Sequence, residues 1–457
     1  MERWAEQELY GWGRHPRVTA EIARPERRTE VERALADRDG KAVLAHGLGR
    51  SYGDAALLDG GRVVLTRRLD KMLGFDPETG WVRVEAGVSI QDLIDTFLPR
   101  GWFVPVVPGT QFVTVGGAIA NDIHGKNHHS DGTFCDHVRR VELLTASGEV
   151  VICDAEHEPE LFWATVAGLG LTGIILSAEL KLAPVAGPWI EMESIRLRDL
   201  DHFFEESARS KDFSHVVTWL DSVAKGASMG RGILMRGRHA PPGVTGSETM
   251  QTITSALEPV LDVPFDLPNG LMNTVTMRLF NEAYYRKHPK GKVESVVHYK
   301  PYFFPLDAIK NWNRGYGPRG MVQYQFVVPP EPDNATMRAI LRQVSESGMP
   351  SFLTVMKEFG EGAHPWLSFP RPGMFVALDF PRFGPGLEHL LDRLDALVVE
   401  AGGRIYLGKD SRMSRETFRA MYPDWRAWKA VRDAWDPGDV FQSTLGRRLG
   451  LCGEGSK

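Results

Sequence analysis

The sequence predicts an α+β protein of two or three domains, and three observations lead there. Up to residue 186, short strands and helices alternate around glycine-rich loops; from about Gly187 the segments become longer, β-rich and aromatic; after Gly403 the chain returns to helix. At 457 residues it can bury a large core, and 42% hydrophobic with 25% charged residues is ordinary globular composition. A formal charge of −5 without a long basic run excludes the electrostatic footprint of a nucleic-acid binder. The charged N-terminus, MERWAEQELYGWGRHPRV, lacks the apolar core of a signal peptide, and no stretch approaches the ~20 apolar residues of a membrane span, so the expected location is cytoplasmic. Cys135, Cys153 and Cys452 are too few and too scattered for a disulfide framework or a zinc cluster.

In chain order, a helix follows Arg24, a turn falls at Asp39 and Gly40, and Lys41 to Ala45 reads as a strand leading into the loop GLGRSYGD, Gly47 to Asp54. Its spacing, G-x-G-x-x-x-G with no helix opening at the last glycine, is not the Rossmann fingerprint. Strands are expected at Val63 to Thr66 and Trp81 to Ala86, then a helix capped by Ser89 and Asp92 with Ile90, Leu93, Ile94, Phe97 and Leu98 on its apolar face. The stretch PGTQFVTVGGAIANDIHGKNHH, Pro108 to His129, is too glycine-rich and polar for ordinary core. Gly109, Gly116, Gly117 and Gly125 let the backbone approach a bound group and aim N–H donors at an anion, while Val113, Val115, Ala118, Ile119 and Ala120 suit a buried strand-turn segment. A plain glycine-rich turn between strands is the alternative.

A hairpin turns at Ser147 and Gly148, and a helix covers Pro159 to Ala167. GLGLTG then matches G-x-G-x-x-G, but a helix precedes it and the strand-like IILSAELKL follows, the reverse of a Rossmann site. Beyond Gly187, the loop-like run HAPPGVTGSETM separates strands from aromatic segments. In MVQYQFVVP, Gln323 and Gln325 share one face and Tyr324 takes the other; such a pair lines something wet or marks a half-exposed edge strand. A helix from about Gly386 to Ala401 closes this part.

PGT…VTVGGAIAND and HGK, preceded by GLGRSYGD and followed by LFWATVAGLGLTGII, resemble the flavoprotein family of vanillyl-alcohol oxidase and the aldonolactone oxidases. With GWGR, DIHGKNHH, WNR, YGP, QYQFV and KDSR added, the chain is similar to the branch of that family that oxidises polyprenyl-phosphoryl ribose, from about Gly11 to Leu451. The resemblance implies a two-part FAD-binding domain, residues 1–186 and 404–457, with a substrate domain on an antiparallel sheet, residues 187–403, inserted between them. It implies FAD contacts at Gly47, Gly49, Arg50, Ser51, Tyr52, Gly53, Pro108, Gly109, Thr110, Val115, Gly116, Gly117, Asn121, Asp122, His124, Gly125, Lys126, Gly173, Ile174 and Lys409. Covalent members carry histidine where this chain has Arg50, so non-covalent FAD is expected.

Oxidation of a secondary alcohol needs a hydride acceptor, which the flavin provides, a base for the hydroxyl proton, and donors that fix the carbon. The resemblance places the base at Lys409, with Tyr52, Lys126 and Gln325 beside it, and the substrate among Trp219, Gln323, Gln325, Lys357 and Asp379. Read alone, Lys409 would be a surface lysine paired with Asp410, and Asp379 an acid facing water. His124, His128 and His129 lack an acidic partner at metal-site spacing, so no metal is expected; His124 goes to the flavin and the other two to a partly exposed loop. Ala377 stands where the family can place cysteine, so thiol-directed chemistry is not expected there.

The resemblance further implies a separate NAD(P)H-dependent keto-reductase partner and a peripheral membrane approach to a lipid substrate. A soluble alditol or aldonolactone oxidase, and a flavin-free sugar-phosphate or lipid-binding protein, are the alternatives.

Overall fold

In the computed structural model, which describes residues 4–246, 261–362 and 364–453, three sheets organise the chain. A four-stranded sheet runs in the order Ala5–Tyr10, Arg17–Ala23, Arg62–Leu65, Val43–His46; Arg62–Leu65 is parallel to both of its neighbours, and the Arg28–Ala36 helix crosses over from one of those neighbours to the other. A five-stranded antiparallel sheet contains Met72–Phe75, Trp81–Glu85, Ile174–Lys181, Val138–Leu144 and Val150–Asp154. Between these two sheets and the third lies the functional cleft.

The third sheet has eight strands. From edge to edge they are Lys292–His298, Trp189–Leu197, Gly232–His239, His215–Leu220, Thr354–Phe359, Gly373–Pro381, Met321–Val328 and Arg404–Ile405. One face packs on the Leu200–Ala208, Ala335–Glu346 and Pro385–Glu400 helices, whose buried Phe203, Ile340 and Leu390 meet Tyr324, Phe326 and Leu378 of the sheet. The other face looks into the cleft. Met321–Val328 is buried along its whole length between two partners, so the half-exposed edge strand is excluded, and Gln323 and Gln325 are polar because they line the cleft.

The segments past Ile405 return to the N-terminal part. Val43 N–H donates to Val440 O (2.8 Å), Gln442 N–H to Val43 O (3.1 Å), and Thr444 N–H to Leu57 O (2.7 Å). Trp428, fully buried on the Trp425–Trp435 helix, donates from Nε1 to Ala164 O at 2.8 Å.

Several expectations meet the structure directly. Ser89 and Asp92 form the reciprocal cap of the Ile90–Phe97 helix, and GLGLTG lies between the Pro159–Thr165 helix and the Ile174–Lys181 strand. One reading is corrected: Val115–Ala120 is a helix, not a strand-turn segment. Thr114 caps it, its Oγ1 accepting from Gly117 N–H (3.1 Å), and a Cβ on Gly116 would lie 3.0 Å from that of Ala86. Close packing against the neighbouring strand end demands glycine there and outweighs glycine's poor helix propensity of about 1 kcal/mol. The end of HAPPGVTGSETM, from residue 247, lies outside the described residues.

Candidate active site

The loop after Val43–His46 is shaped by what surrounds it. Gly49 has φ +66, a left-handed conformation that side chains resist, and a Cβ on Gly53 would fall 1.8 Å from Asp410 O. Asp54 ends the loop, held by Arg448 through 2.8 and 3.0 Å bonds, and the same guanidinium reaches Asp410 at 2.9 Å. So fixed, the loop leaves the N–H groups of Leu48, Gly49, Arg50 and Ser51 without an acceptor among the described residues. Consecutive free N–H donors in a glycine loop make an anion-binding nest, the feature a pyrophosphate needs.

The second glycine stretch plays a different part from the one expected. Gly116 N–H donates to Ala86 O (2.8 Å) and Gly117 N–H to Thr114 Oγ1, so neither is free for an anion; the two glycines bound the cleft through their missing side chains. Asn121 donates to Gly117 O (2.9 Å) and leaves its buried Oδ1 without a partner among the described residues.

The cleft wall opposite is laid out by strand register. Trp219, Val355, Ala377 and Gln325 stand directly across from one another on four successive strands, hence on one face, and all four line the cavity. Gln325 meets His124 at 3.0 Å between the two Nε2 atoms. The His124 ring sits among Phe359, Phe369, Phe375 and Tyr406. Burial pushes its pKa well below the usual value, and the Lys357, His128 and Lys409 charges push the same way, so the ring is neutral. Its Nδ1 is buried and has no partner among the described residues.

Four cationic side chains face one cavity of about 590 Å³: Arg50, Lys126, Lys357 and Lys409. Arg50 lies over the Trp12 ring (3.9 Å to its centroid) and near Phe112 (5.2 Å). Lys126 donates to Phe303 O at 3.0 Å, and burial lowers its pKa to about 8 against the pull of Asp307. Lys357 donates to Gly125 O; burial, aided by Lys126, holds its pKa well below that of a free lysine. Lys409 is drawn down to about 8 by burial, with Asp379 opposing the shift and Arg50 adding to it. Asp307, which accepts from Gln111 N–H at 2.9 Å, is the carboxylate at this wall among the described residues.

Most of the residues expected at the site line this one cavity, from Gly47, Gly49, Ser51 and Tyr52 through Pro108 and Thr110 to Gly173. Five do not. Gly53 is packed on Asp410; Val115 and Ile174 are buried in hydrophobic clusters; Asp122 is fully buried, accepting from Ser368 at 2.6 Å. Asp379 shares the sheet face of Gln323 but lies outside the wall, fully buried, accepting from Gln323 Nε2 at 2.6 Å. It neither faces water nor reaches the cavity, and burial raises its pKa to about 7 while Gln323 and Lys409 oppose the rise. Lys409 does not pair with Asp410, whose partner is Arg448. His128 is buried against Phe359 (4.3 Å between rings) in a short helix rather than exposed in a loop, and His129 bonds Phe213 O at 2.7 Å.

Sequence reasoning missed Trp12, His46, Asp307 and Phe280, all at the cavity wall. For Trp12 a signal existed: Gly11 and Gly13 flank it, and a Cβ on either would come within 2.5 Å of a carbonyl oxygen in the Ser51–Tyr52 loop. Asp307 arrives from a turn remote in sequence and gave none.

The cavity fits FAD. A free N–H nest, the open space at Gly109 where no described atom lies within 4 Å of a built Cβ, and Asn121 Oδ1, His124 Nδ1 and Arg50 Nε, unpartnered among the described residues, supply the donors and acceptors that a dinucleotide flavin requires.

Comparison with known proteins agrees with the geometry. Residues 19–154 match the family described as FAD binding domain, and residues 380–449 the family described as D-arabinono-1,4-lactone oxidase. The chain is 41% identical to decaprenylphosphoryl-β-D-ribose oxidase of Mycolicibacterium smegmatis over 97% of both chains. It is 37% identical to a Streptomyces coelicolor protein encoded in the mprA 5′ region, over 80% of this chain and 100% of that one. Bovine L-gulonolactone oxidase is 32% identical over 33% of this chain and 34% of its own.

Proposed function

The chain belongs to the decaprenylphosphoryl-β-D-ribose oxidase family of FAD-dependent oxidoreductases, and from that footing we propose that it oxidises the ribose 2-hydroxyl of a polyprenyl-phosphoryl-β-D-ribose to the 2-keto sugar. In this reading it performs the first half of an epimerisation that yields the arabinose donor for cell-wall arabinan. A separate NAD(P)H-dependent keto-reductase completes the second half, and the lipid substrate brings the protein to a membrane surface.

FAD, when bound between the Gly47–Ser51 loop and the wall formed by Asn121 and His124, would supply the hydride acceptor for the ribose carbon, and Arg50, in place of histidine, would leave it without a covalent link. The rest falls to the protein. Lys409, neutral in a large fraction near pH 8, takes the hydroxyl proton. Gln325 and the neutral His124 fix the sugar and the flavin edge, and Tyr52 and Gln323 flank the lysine. Lys126 and Lys357 meet the phosphate, and Trp219 packs on the substrate. Asp379 acts from behind the wall, through Gln323 and through its charge on Lys409.

The observation that carries this reading is the basic lining: among the described residues Arg50, Lys126, Lys357 and Lys409 share one cavity with a single carboxylate, Asp307, and with Lys409 kept for the proton the others suit an anionic phosphoryl sugar. A free alditol or lactone offers no charge to balance Lys126 and Lys357. The match to the lactone-oxidase family spans residues 380–449, the sheet edge and the helices that brace the flavin loop, and contributes Lys409 as the only cation of that set. The test is anaerobic addition of a short-chain prenyl-phosphoryl ribose to the purified protein supplied with FAD. Bleaching of the flavin bands by that compound is expected; bleaching by free sugars alone would transfer the protein to the alditol and lactone oxidases, and a protein unable to take up flavin would be a binding protein.

A further inference from the structure

We propose that the exposed face of the Thr274–Lys287 helix is a docking surface for an anionic lipid bilayer, placed at the mouth of the cavity. A helix on a soluble protein ordinarily turns its apolar stripe inward. This one is inverted. Val275 and Leu279, one turn apart, are both 68% exposed, and Phe280 beside them is 45% exposed. The buried side carries Met277 and Asn281, and Asn281 anchors the helix by donating to Asp221 Oδ1 at 2.7 Å. Leu261, Phe265 and Leu271, in the segment leading to the helix, are also exposed, so the apolar area continues beyond it.

Charge complements this area. Arg278, Arg286 and Lys287 are exposed on the helix and Lys290 follows it, while Lys292 beyond them is paired with Glu193 and Glu294. The helix's one acid, Glu282, is engaged by Arg231 and Arg286. Large aliphatic side chains ringed by arginine and lysine are the composition of a helix that lies in the headgroup region of an anionic leaflet. Its 14 residues give a length of about 21 Å, enough for a lasting contact when joined to the preceding segment.

Position singles out lipid as the occupant. Phe280 belongs both to the exposed face and to the cavity wall, stacks with Tyr284 (6.2 Å), and Tyr284 meets Trp219 at 4.7 Å. An apolar track therefore runs from the sheet to the outer face of the helix. The choice of a bilayer over a protein partner rests on the reading of the substrate as a polyprenyl phosphate, since its chain must leave the cavity into an apolar medium.

The test is flotation of the holoenzyme, without substrate, on vesicles of equal parts phosphatidylglycerol and phosphatidylcholine. The parent protein is expected to float, and the double substitution Val275→Asp with Leu279→Asp to lower the vesicle-bound fraction ~10-fold or more, while flavin content and bleaching by a short-chain substrate in solution persist. A parent protein that ignores these vesicles, whether monomeric or self-associated through the helix, overturns the proposal. So does undiminished flotation of the variant. Should the aspartates release the flavin, Lys287→Glu with Lys290→Glu, both at exposed positions, decides in their place: loss of flotation supports docking and retention refutes it. Binding needs no turnover, so a protein that floats but bleaches only with free sugars keeps the docking surface and loses the substrate reading, and the converse result separates them the other way.

Discussion

The Lys409 Nζ lies 4.3 Å from the centroid of the Tyr52 ring, so the proposed base rests on an aromatic face, with no carboxylate bonded to it among the described residues. A cation–π contact holds the side chain in place without making the strong ion pair that would raise its pKa. Position and basicity are thereby set by different neighbours. The first prediction concerns the base. Because proton abstraction needs neutral Lys409, kcat/KM should rise with pH and level off above about 8. Lys409→Met should lower kcat by at least ~100-fold with flavin still bound.

The second prediction separates Asp379 from the cavity residues. Asp379 opposes the depression of the Lys409 pKa, so Asp379→Asn should move the acidic limb of the kcat/KM profile below 8. Its effect on stability has a definite sign. With a folded pKa of about 7 against 3.8, the folded state binds more protons than the unfolded between those values, and Asp379 makes the protein less stable as pH rises through that window. The asparagine variant should therefore lack that part of the parent's decline in thermal midpoint between pH 5 and pH 7, values spanned by the ~3-unit shift. A pH–rate limb that stays in place would refute the coupling.

Arg448 gives the third. It satisfies both Asp54 and Asp410, each almost fully buried. Removing one cation strands two carboxylates, so Arg448→Ala should destabilise by about 3–5 kcal/mol in denaturant unfolding, with flavin retention falling in parallel because Asp54 ends the nest loop.

A pair of glycines supplies the fourth. Gly53→Ala sets a methyl group against Asp410 O and should displace the loop, giving protein that purifies with little flavin. Gly74→Ala, where no atom lies within 4 Å, should change stability by less than about 0.5 kcal/mol and bind flavin normally.

How much of this was legible follows from how local each feature is. The Ser89 cap, the Gly148 turn and the reversed order around GLGLTG were readable because neighbouring residues determine them. The Val115–Ala120 helix was not, since Gly116 answers to Ala86 at the end of the Trp81–Glu85 strand. Gln323 and Gln325 announced a wet face, but the line from Trp219 to Gln325 exists only through the register of four strands. Lys409 stood out through a family likeness; nothing near it in sequence reveals that Tyr52 lies beneath it. Asp379 was placed one layer too far forward, because strand parity gives its face and not what covers it.

The return of the C-terminal segments to the first loop has a consequence for biosynthesis. The nest is clamped by Asp410 and Arg448, and the strand leading into it is flanked by Val440 and Gln442. While the ribosome is still making residues 187–403, the strand and loop at 43–54 have emerged without these partners. A nascent chain halted before residue 410 should not retain flavin, and cofactor capture becomes a late event that waits for the segment carrying Asp410 to Arg448.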